Sequence, residues 1–499
     1  MQIARIEREG ITIVGLGPGG GEFLTRQAWE ALATADHIFL RTARHPAVAD
    51  LPPVPRTSFD NIYEAADDFS DVYRQITAEI MRQAATGPVC YAVPGHPAVG
   101  EASVAHIRAA AEAADIPVTI IAGLSFIEPT LTALHLDGLD GLQLGDAIEV
   151  ADRLFPPLNP DAPALLAQVY SPLLANNLKL ALNAIYPDEH RVALVHAAGI
   201  SAERVEWLPL YEIDRSPHIN HLTSLFLPPL PRASSLAALA ETVAILRSPD
   251  GCPWDQEQTA QSLRPGFIEE MAEVLEALDL DDAELLREEL GDLLFHIVIQ
   301  AQIASEDGSF TLGEVIAGIE SKLKRRHPHV WGDWHVNDAG DVIRNWEALK
   351  AEEKAHRTTQ TASLLDNIPP TLPSLAQSQK IQARVRKIGF DWPHIDGVFA
   401  KLDEEKQELM TASTRREQEQ ELGDILFVTA NLANWMKLDA ETALREANLR
   451  FSRRFRQMEA AANRQALDLA TASLDTLNQL WEEAKATLAA AYEASEEKA

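Results

Sequence analysis

The sequence predicts a multidomain chain: an α/β domain first, then two all-α modules. Three observations lead there. Strand-like runs alternate with helical ones only as far as about residue 227. Leu227-Pro228-Pro229-Leu230-Pro231 opens a Pro/Ser-rich break that ends at Ser235. Beyond it the strand signals vanish, and one acidic motif occurs twice in the same order.

At 499 residues the chain is long enough for two or three domains. Hydrophobic content of 46% and charged content of 24% belong to an ordinary globular protein, so no disordered or fibrous class applies. A formal charge of −32 argues against a general binder of nucleic-acid polymers or of anionic membranes. It leaves room for a nucleotide, because a bound cation inverts the local field. The two cysteines, Cys90 and Cys252, make no disulfide framework, so a reducing cytoplasm is the simplest setting. The N-terminal residues are too polar for a signal peptide, and no apolar run is long enough to span a bilayer.

The α/β part starts with an apolar strand, Ile11–Val14, that runs into Gly15-Leu16-Gly17-Pro18-Gly19-Gly20-Gly21. A helix from about Leu24 to Ala35 and a strand over His37–Leu40 follow. Pro18 and the lack of an acidic ribose partner separate this loop from a dinucleotide fingerprint. A tight turn that needs positive φ is the simpler reading. Further strands are expected over Val89–Val93, Val118–Ile121, Ala164–Tyr170 and Val192–Val195. The second and third strands of this part that end in glycine loops lead into Pro94-Gly95-His96-Pro97 and Ala122-Gly123-Leu124-Ser125-Phe126. Ligands of open α/β sheets bind beyond the carboxyl ends of strands, so these loops are candidate binding segments.

The helical part is organised around Glu269-Glu270-Met271-Ala272-Glu273 and Glu289-Leu290-Gly291-Asp292. On helices these acids stand at i, i+3 and i, i+4 and share a face. Ile268, Met271, Leu275 and Leu278, then Leu290, Leu293, Leu294 and Ile297, are expected to form a core stripe beside them. Two such helices side by side crowd carboxylates that repel one another. A hard divalent cation such as Mg2+ resolves the crowding and commonly serves phosphate chemistry. One EExxE alone is ordinarily a solvated face. Here Glu404-Glu405-Lys406-Gln407-Glu408 and Glu421-Leu422-Gly423-Asp424 repeat the pattern.

Other parts repeat as well. A Trp/Asp turn precedes each acidic pair, at Gly251-Cys252-Pro253-Trp254-Asp255 and Gly389-Phe390-Asp391-Trp392. A basic helix follows each, carrying Lys322 and Arg326, then Arg450 and Arg454. Last comes a Trp with a Lys four positions on: Trp346 and Lys350, then Trp481 and Lys485. Basic side chains complement phosphate, and a Trp can stack on a base, although a buried Trp is more often core. His296 follows Asp292 by four residues, but Val428 stands at its counterpart, so His296 is read as structural. A di-iron bundle would need Glu-x-x-His pairs, and both copies have Glu-x-x-Asp.

Two resemblances sharpen these readings. Gly15-Leu-Gly-Pro-Gly19 with Leu24-Thr25, Val93-Pro-Gly-His-Pro97 and Gly123-Leu-Ser125 make residues 11–227 resemble the tetrapyrrole (corrin and porphyrin) methylase family. That implies a two-lobed α/β fold, with S-adenosylmethionine contacted by Pro94, Gly95, His96, Ser125 and Phe126. His96 stands where the family usually has Asp, and Gly20-Gly21-Glu22 where an Asp is usual. Val169-Tyr170, Lys179 and Leu222–Leu225 resemble the branch fused to a pyrophosphohydrolase. Residues 236–490 resemble the MazG family of nucleoside triphosphate pyrophosphohydrolases, through both acidic motifs, Cys252-Pro-Trp-Asp255, Arg325-Arg-His-Pro-His329 and Ile388-Gly-Phe-Asp-Trp392.

The second resemblance implies Mg2+ held by Glu270, Glu273, Glu289 and Asp292, and by Glu405, Glu408, Glu421 and Asp424. It implies cleavage of nucleoside triphosphates to a monophosphate and pyrophosphate. Glu269 and Glu404 are the candidate catalytic carboxylates; Lys322, Arg326, Trp346, Lys350, Arg450, Arg454, Trp481 and Lys485 are the candidate substrate contacts. Four-helix modules of this type usually complete their cores by self-association, so a homodimer or higher oligomer is expected. The expected order is a methylase-like domain (1–227), a linker (228–236), a first module (237–357), a linker (358–373), a second module (374–490) and a tail (491–499). Two other readings stand beside hydrolysis: methyl transfer as the main activity, or a metal-stabilised scaffold without catalysis.

Overall fold

The computed structural model describes residues 10–65, 69–346, 349, 363–366 and 368–496, the side chains of 69 and 491–496 excepted. By its contacts the chain divides into two compact units, Met1–Ser321 and Lys322–Ala499. The division falls within the helix Leu312–Arg326 and so within the expected first module.

The first unit begins with two five-stranded sheets. In the first, all strands are parallel, in the order β3-β2-β4-β1-β5: β1 is Ile11–Gly15, β2 Ile38–Leu40, β3 Arg56–Ser58, β4 Val89–Val93 and β5 Val118–Ile121. Between them run α1 (Arg26–Thr34), α2 (Asp60–Ala65), α3 (Phe69–Ala84) and α4 (Ala102–Ala113). β1 and β4 lie in the middle, and every residue of both is buried, as a parallel strand covered on both faces requires. One face packs Ile11, Ile13, Tyr91 and Val93 against Ile76, Ile80 and Ile107; the other packs Val14, Cys90 and Ala92 against Ala28 and Leu32. Thr25 starts α1, its side chain accepting from the Ala28 N–H.

The second sheet is mixed, in the order β6-β7-β10-β8-β9: β6 is Gln143–Asp146, β7 Ala164–Ala167, β8 Arg191–His196, β9 Arg204–Pro209 and β10 Thr223–Leu227. Only β6 and β7 are parallel. α5 (Ile127–Leu134), α6 (Ala147–Ala151) and α7 (Pro172–Leu182) accompany it. The strand expected over Ala164–Tyr170 stops early. Gln168 takes a left-handed conformation (φ 67°) and turns its amide onto Asp146 at 2.9 Å. The Pro/Ser stretch is tied down rather than loose: the Ser234 and Ser235 N–H groups donate to Asp161 (2.7 and 3.0 Å), and Ser235 then caps the next helix.

That helix is α8 (Leu236–Arg247), followed by α9 (Pro253–Glu257), α10 (Arg264–Leu280), α11 (Ala283–Glu306), α12 (Leu312–Arg326) and α13 (Pro328–Trp331). α10 and α11 form a hairpin. Asp281 closes α10 in a left-handed conformation (φ 55°), and Asp282 accepts from the Glu284 and Leu285 N–H groups to start α11. The core of this part is small: Val243, Leu263, Val298, Ile299 and Ile303.

The second unit repeats the arrangement: α14 (Ser374–Arg386), α15 (Ile395–Thr411), α16 (Arg415–Met436), α17 (Ala440–Arg464) and α18 (Leu474–Glu496). α15 and α16 make the matching hairpin, and a capping box from Thr414 and Glu417 starts α16.

One expectation is corrected. The apolar stripe of α10 and α11 is not a core within this chain. Ile268, Met271, Leu275, Leu278, Leu290, Leu294 and Ile297 are all more than a third exposed. Burial goes instead to Ala277 on α10 and to Val298, Ile299 and Ile303 on α11, the last three packed with Val243 of α8. Leu422, Leu426 and Phe427 of α16 stand equally open. No helix among the described residues is long and apolar enough to cross a membrane.

Candidate active site

Each helix hairpin brings three carboxylates to one place. Ligand oxygens of Glu270, Glu273 and Glu289 lie within 4.8 Å of one another, and so do those of Glu405, Glu408 and Glu421. Helical spacing accounts for each pair on one helix, and antiparallel packing brings in the third acid. Asp292 and Asp424 stand one turn further on, outside these groups of three but close enough to act on them.

The electrostatics show the crowding. Removal from water, then Glu273 and Asp292, hold the Glu270 and Glu289 carboxyls above their ordinary value, and Glu273 lies within hydrogen-bonding range of both. Glu421 is raised in the same way, by removal from water and then by Glu408 and Glu405. Oxygen donors only, three to a site and mutually repelling, fit a hard divalent cation.

The two sites differ in detail. Glu405 is buried, and Lys401 Nζ reaches it at 2.8 Å and Glu404 at 2.9 Å. Glu405 first and Glu404 second hold the ammonium above its ordinary range. Sequence reasoning missed Lys401, although its place four residues before Glu405 was a readable signal. In the first site, His296 is buried with its Nε2 3.9 Å from Glu270, so a residue read as structural stands beside the acids.

The remaining candidates are placed as follows. Glu269 adjoins the first cluster and adds to the charge around Glu270. In the second unit, the Arg326 guanidinium lies over the Trp346 ring, 5.7 Å from its centroid; Lys322 is exposed, and Lys350 lies outside the described residues. Trp481 packs against Phe451 (ring centroids 5.0 Å) and against the cluster of Met458 and Leu480, which makes it part of a core wall. Arg450 is 3.6 Å from Glu446, and Lys485 pairs with Glu482 at 2.6 Å. Arg454 is on α17, one turn beyond Arg450.

In the α/β part, the loops after β1, β4 and β5 meet at the strand ends. The Gly17 and Gly95 amides each donate to the other's carbonyl (3.2 and 2.8 Å). A side chain at Gly123 would come within 2.4 Å of the Gly95 carbonyl oxygen, so only glycine fits there. Gly95 has positive φ (65°) and open space where a side chain would be. Pro94 leads into this loop, and His96 accepts from the Ala98 N–H at 3.0 Å. Ser125 donates to Glu128 through both its hydroxyl (2.6 Å) and its N–H (2.8 Å), with Phe126 next in the turn. Burial raises the Glu128 carboxyl, but the Ser125 hydrogen bonds and His96 leave it below its ordinary value. The glycine-rich loop after β1 uses its own donors: Gly21 N–H is bonded to Asp50 at 2.9 Å.

Residues 10–214 match the family Tetrapyrrole (Corrin/Porphyrin) Methylases, and residues 258–331 match the MazG nucleotide pyrophosphohydrolase domain. The chain belongs to the family of fused proteins in which a tetrapyrrole-methylase-like domain precedes MazG-type modules. Its similarity to the uncharacterized protein YabN of Bacillus subtilis (strain 168) is 38% identity over 494 residues, covering 96% of this chain and 98% of that one. The nucleoside triphosphate pyrophosphohydrolase of Escherichia coli (strain K12) is 42% identical over 246 residues, 48% of this chain and 93% of its own length. The MazG nucleoside triphosphate pyrophosphohydrolase/pyrophosphatase of Thermotoga maritima is 42% identical over 240 residues, with 91% of its length covered.

The raised carboxyls set a pH prediction. A carboxyl whose folded value is raised binds its proton more readily folded than unfolded, so its contribution to stability falls as pH rises through that range. A divalent cation competes with those protons, so its stabilising effect should grow as pH rises. Differential scanning fluorimetry of metal-free protein, with and without Mg2+, should show a larger Mg2+-induced rise in Tm at pH 8 than at pH 5. The double variant Glu273→Gln/Glu408→Gln should lose most of that rise. An equal Mg2+ effect at both pH values would contradict the cluster as the binding site.

Proposed function

We propose that this chain is a Mg2+-dependent nucleoside triphosphate pyrophosphohydrolase, which cuts between the α- and β-phosphates to give a nucleoside monophosphate and pyrophosphate. The observation that carries the reading is the pair of three-carboxylate clusters, each on a helix hairpin of MazG type. The relatives named as nucleoside triphosphate pyrophosphohydrolases support it. Glu270, Glu273 and Glu289 would hold a divalent cation in the first module and Glu405, Glu408 and Glu421 in the second, with Asp292 and Asp424 one turn further on; the ion would supply charge neutralisation for phosphate and a more acidic water. Glu269 and Glu404 accept the proton of the attacking water. Arg450, Arg454 and Lys485 would meet the phosphate charge at the second cluster.

A second reading concerns the α/β domain. We propose that S-adenosylmethionine binds at the ends of β4 and β5, near Pro94–His96 and Ser125–Phe126. The open space where a Gly95 side chain would stand supports it. We also propose that the chain self-associates in the cytoplasm as a homodimer or higher oligomer. The half-exposed apolar stripes of α10, α11 and α16 support this, because water contact with so much contiguous apolar surface is unfavourable.

Three measurements test these readings. Intact protein with Mg2+ should release pyrophosphate from common nucleoside triphosphates. Glu273→Ala/Glu408→Ala should lower that rate by at least about 100-fold, since each change removes a ligand. Unchanged turnover in the double variant would refute the site, and the single variants show which module works. For the α/β domain, S-adenosylmethionine in roughly hundredfold excess over its Kd should stabilise by about 2.7 kcal/mol; an unmoved Tm removes the second reading. Light scattering after size exclusion should give at least twice the chain mass of 54.8 kDa. A monomer would leave the stripes unexplained and the assembly reading wrong.

A further inference from the structure

The two carboxylate clusters share a scaffold but are not compensated alike. Four residues before Glu405 stands Lys401, whose ammonium touches Glu405 at 2.8 Å and Glu404 at 2.9 Å. Four residues before Glu270 stands Gly266. The room that a side chain would need there is taken by the His296 ring: a Cβ on Gly266 would lie 3.0 Å from its Cε1. His296 itself is 3.9 Å from Glu270, beyond hydrogen-bonding range. The exposure differs in the same sense. The Glu405 side chain is 6% exposed and that of Glu270 is 21% exposed. Burying a carboxylate is costly without a partner, and Lys401 Nζ at 2.8 Å is that partner for Glu405. The first cluster has no such ammonium on its own helix.

We propose that Lys401 is a built-in counter-ion of the second cluster, so that the second module takes up free divalent cation less tightly than the first. The inference rests on reading both clusters as metal sites. A divalent cation entering the second cluster meets a positive charge already on Glu405. Either the Lys401–Glu405 pair is given up, or two like charges are held a few ångströms apart; both oppose binding. The first cluster imposes neither. Lys401 also lies one helical turn from Glu405, so it can leave by turning its own side chain without moving the helix. The two modules of one chain would then load in sequence as divalent cation rises, the first module before the second.

Mn2+ as probe and the full chain as sample test this. The free Mn2+ signal in electron paramagnetic resonance, followed through a titration at pH 8, counts sites and gives their Kd values. Wild type should show two classes at least about tenfold apart, the effect of one nearby unit charge. Glu408→Gln should remove the weaker class and Glu273→Gln the tighter one. Lys401→Met should tighten the weaker class toward the other, and Lys401→Arg, which keeps the charge, should leave it weak. The Arg variant also separates loss of charge from damage to the helix. Equal affinities in wild type, or a weak class that Lys401→Met leaves unchanged, overturns the inference while the metal reading stands. Absence of any Mn2+ class in wild type overturns both.

Discussion

Like charge brought together on purpose is the constraint that the helical part depends on. Glu270, Glu273 and Glu289 converge on a hairpin that must hold them against their repulsion. Short turns with strong caps hold it. Asp282 satisfies two N–H groups at the start of α11, and the left-handed Asp281 ends α10 without a loop that could yield. In the second copy Thr414 and Glu417 do the same work with different chemistry. The hairpin angle is therefore set by backbone hydrogen bonds, which the acids cannot easily undo. The raised Glu270, Glu289 and Glu421 carboxyls reflect removal from water and the neighbouring carboxylates.

The α/β domain follows a different rule, close backbone approach. The loops that follow β1, β4 and β5 carry glycine where they converge, and at Gly15 and Gly123 there is no room for a side chain. Gly123 meets the Gly95 carbonyl, and Gly17 and Gly95 exchange hydrogen bonds across the gap. A surface made of backbone rather than side chains carries dipoles but little charge. Such a surface suits a ligand recognised by shape and by hydrogen bonds to a nucleoside-like group. The acidic helices suit a ligand recognised by metal and phosphate.

Much of this was legible in the sequence, and the failures share one cause. The central strands β1, β4 and β8 are continuous apolar runs and stood out. β3 (Arg56-Thr57-Ser58) and β6 (Gln143-Leu144-Gly145-Asp146) lie at sheet edges, one face or end in water, so their residues carry no strand pattern. β10 is buried throughout, but Thr223 and Ser224 open it and Pro228 follows it, so it reads as part of the loop before the proline stretch. The acids were legible because helical spacing alone puts them on one face, and the repeat removed the ordinary explanation. What covers the neighbouring apolar face was not legible. Periodicity says that Leu290, Leu294 and Ile297 share a side of the helix; it does not say whether this chain or another fills it. Lys401 escaped for a related reason: a Lys four residues from a Glu is common on any helix, and only burial of Glu405 makes the pair matter.

The two copies also show which part of the module tolerates change. Behind the first hairpin lies an apolar core, with Val243 on α8 facing Ile299 and Ile303 on α11. Behind the second lies a set of amides. Gln382 donates to the Phe427 carbonyl at 2.6 Å, Gln379 bridges Leu438 and Ala440 at 2.8 Å each, and Asp391 accepts from Asn431 at 3.2 Å and from Arg386. These are opposite ways to fill a core. The apolar one packs by area alone, whereas the polar one holds only when each donor finds its acceptor. Within that second core the Asn431 Oδ1 and an Arg386 nitrogen lack a partner, and beside the first the buried His296 Nδ1 does too. Yet the three carboxylates in front of each core stand at the same helical positions, and in both copies their ligand oxygens lie within 4.8 Å of one another. The interior of the module has been rebuilt while the acidic face has not. The constraint on this duplicated fold therefore lies in the geometry of the charge it presents, and the core is whatever keeps two helices at that spacing.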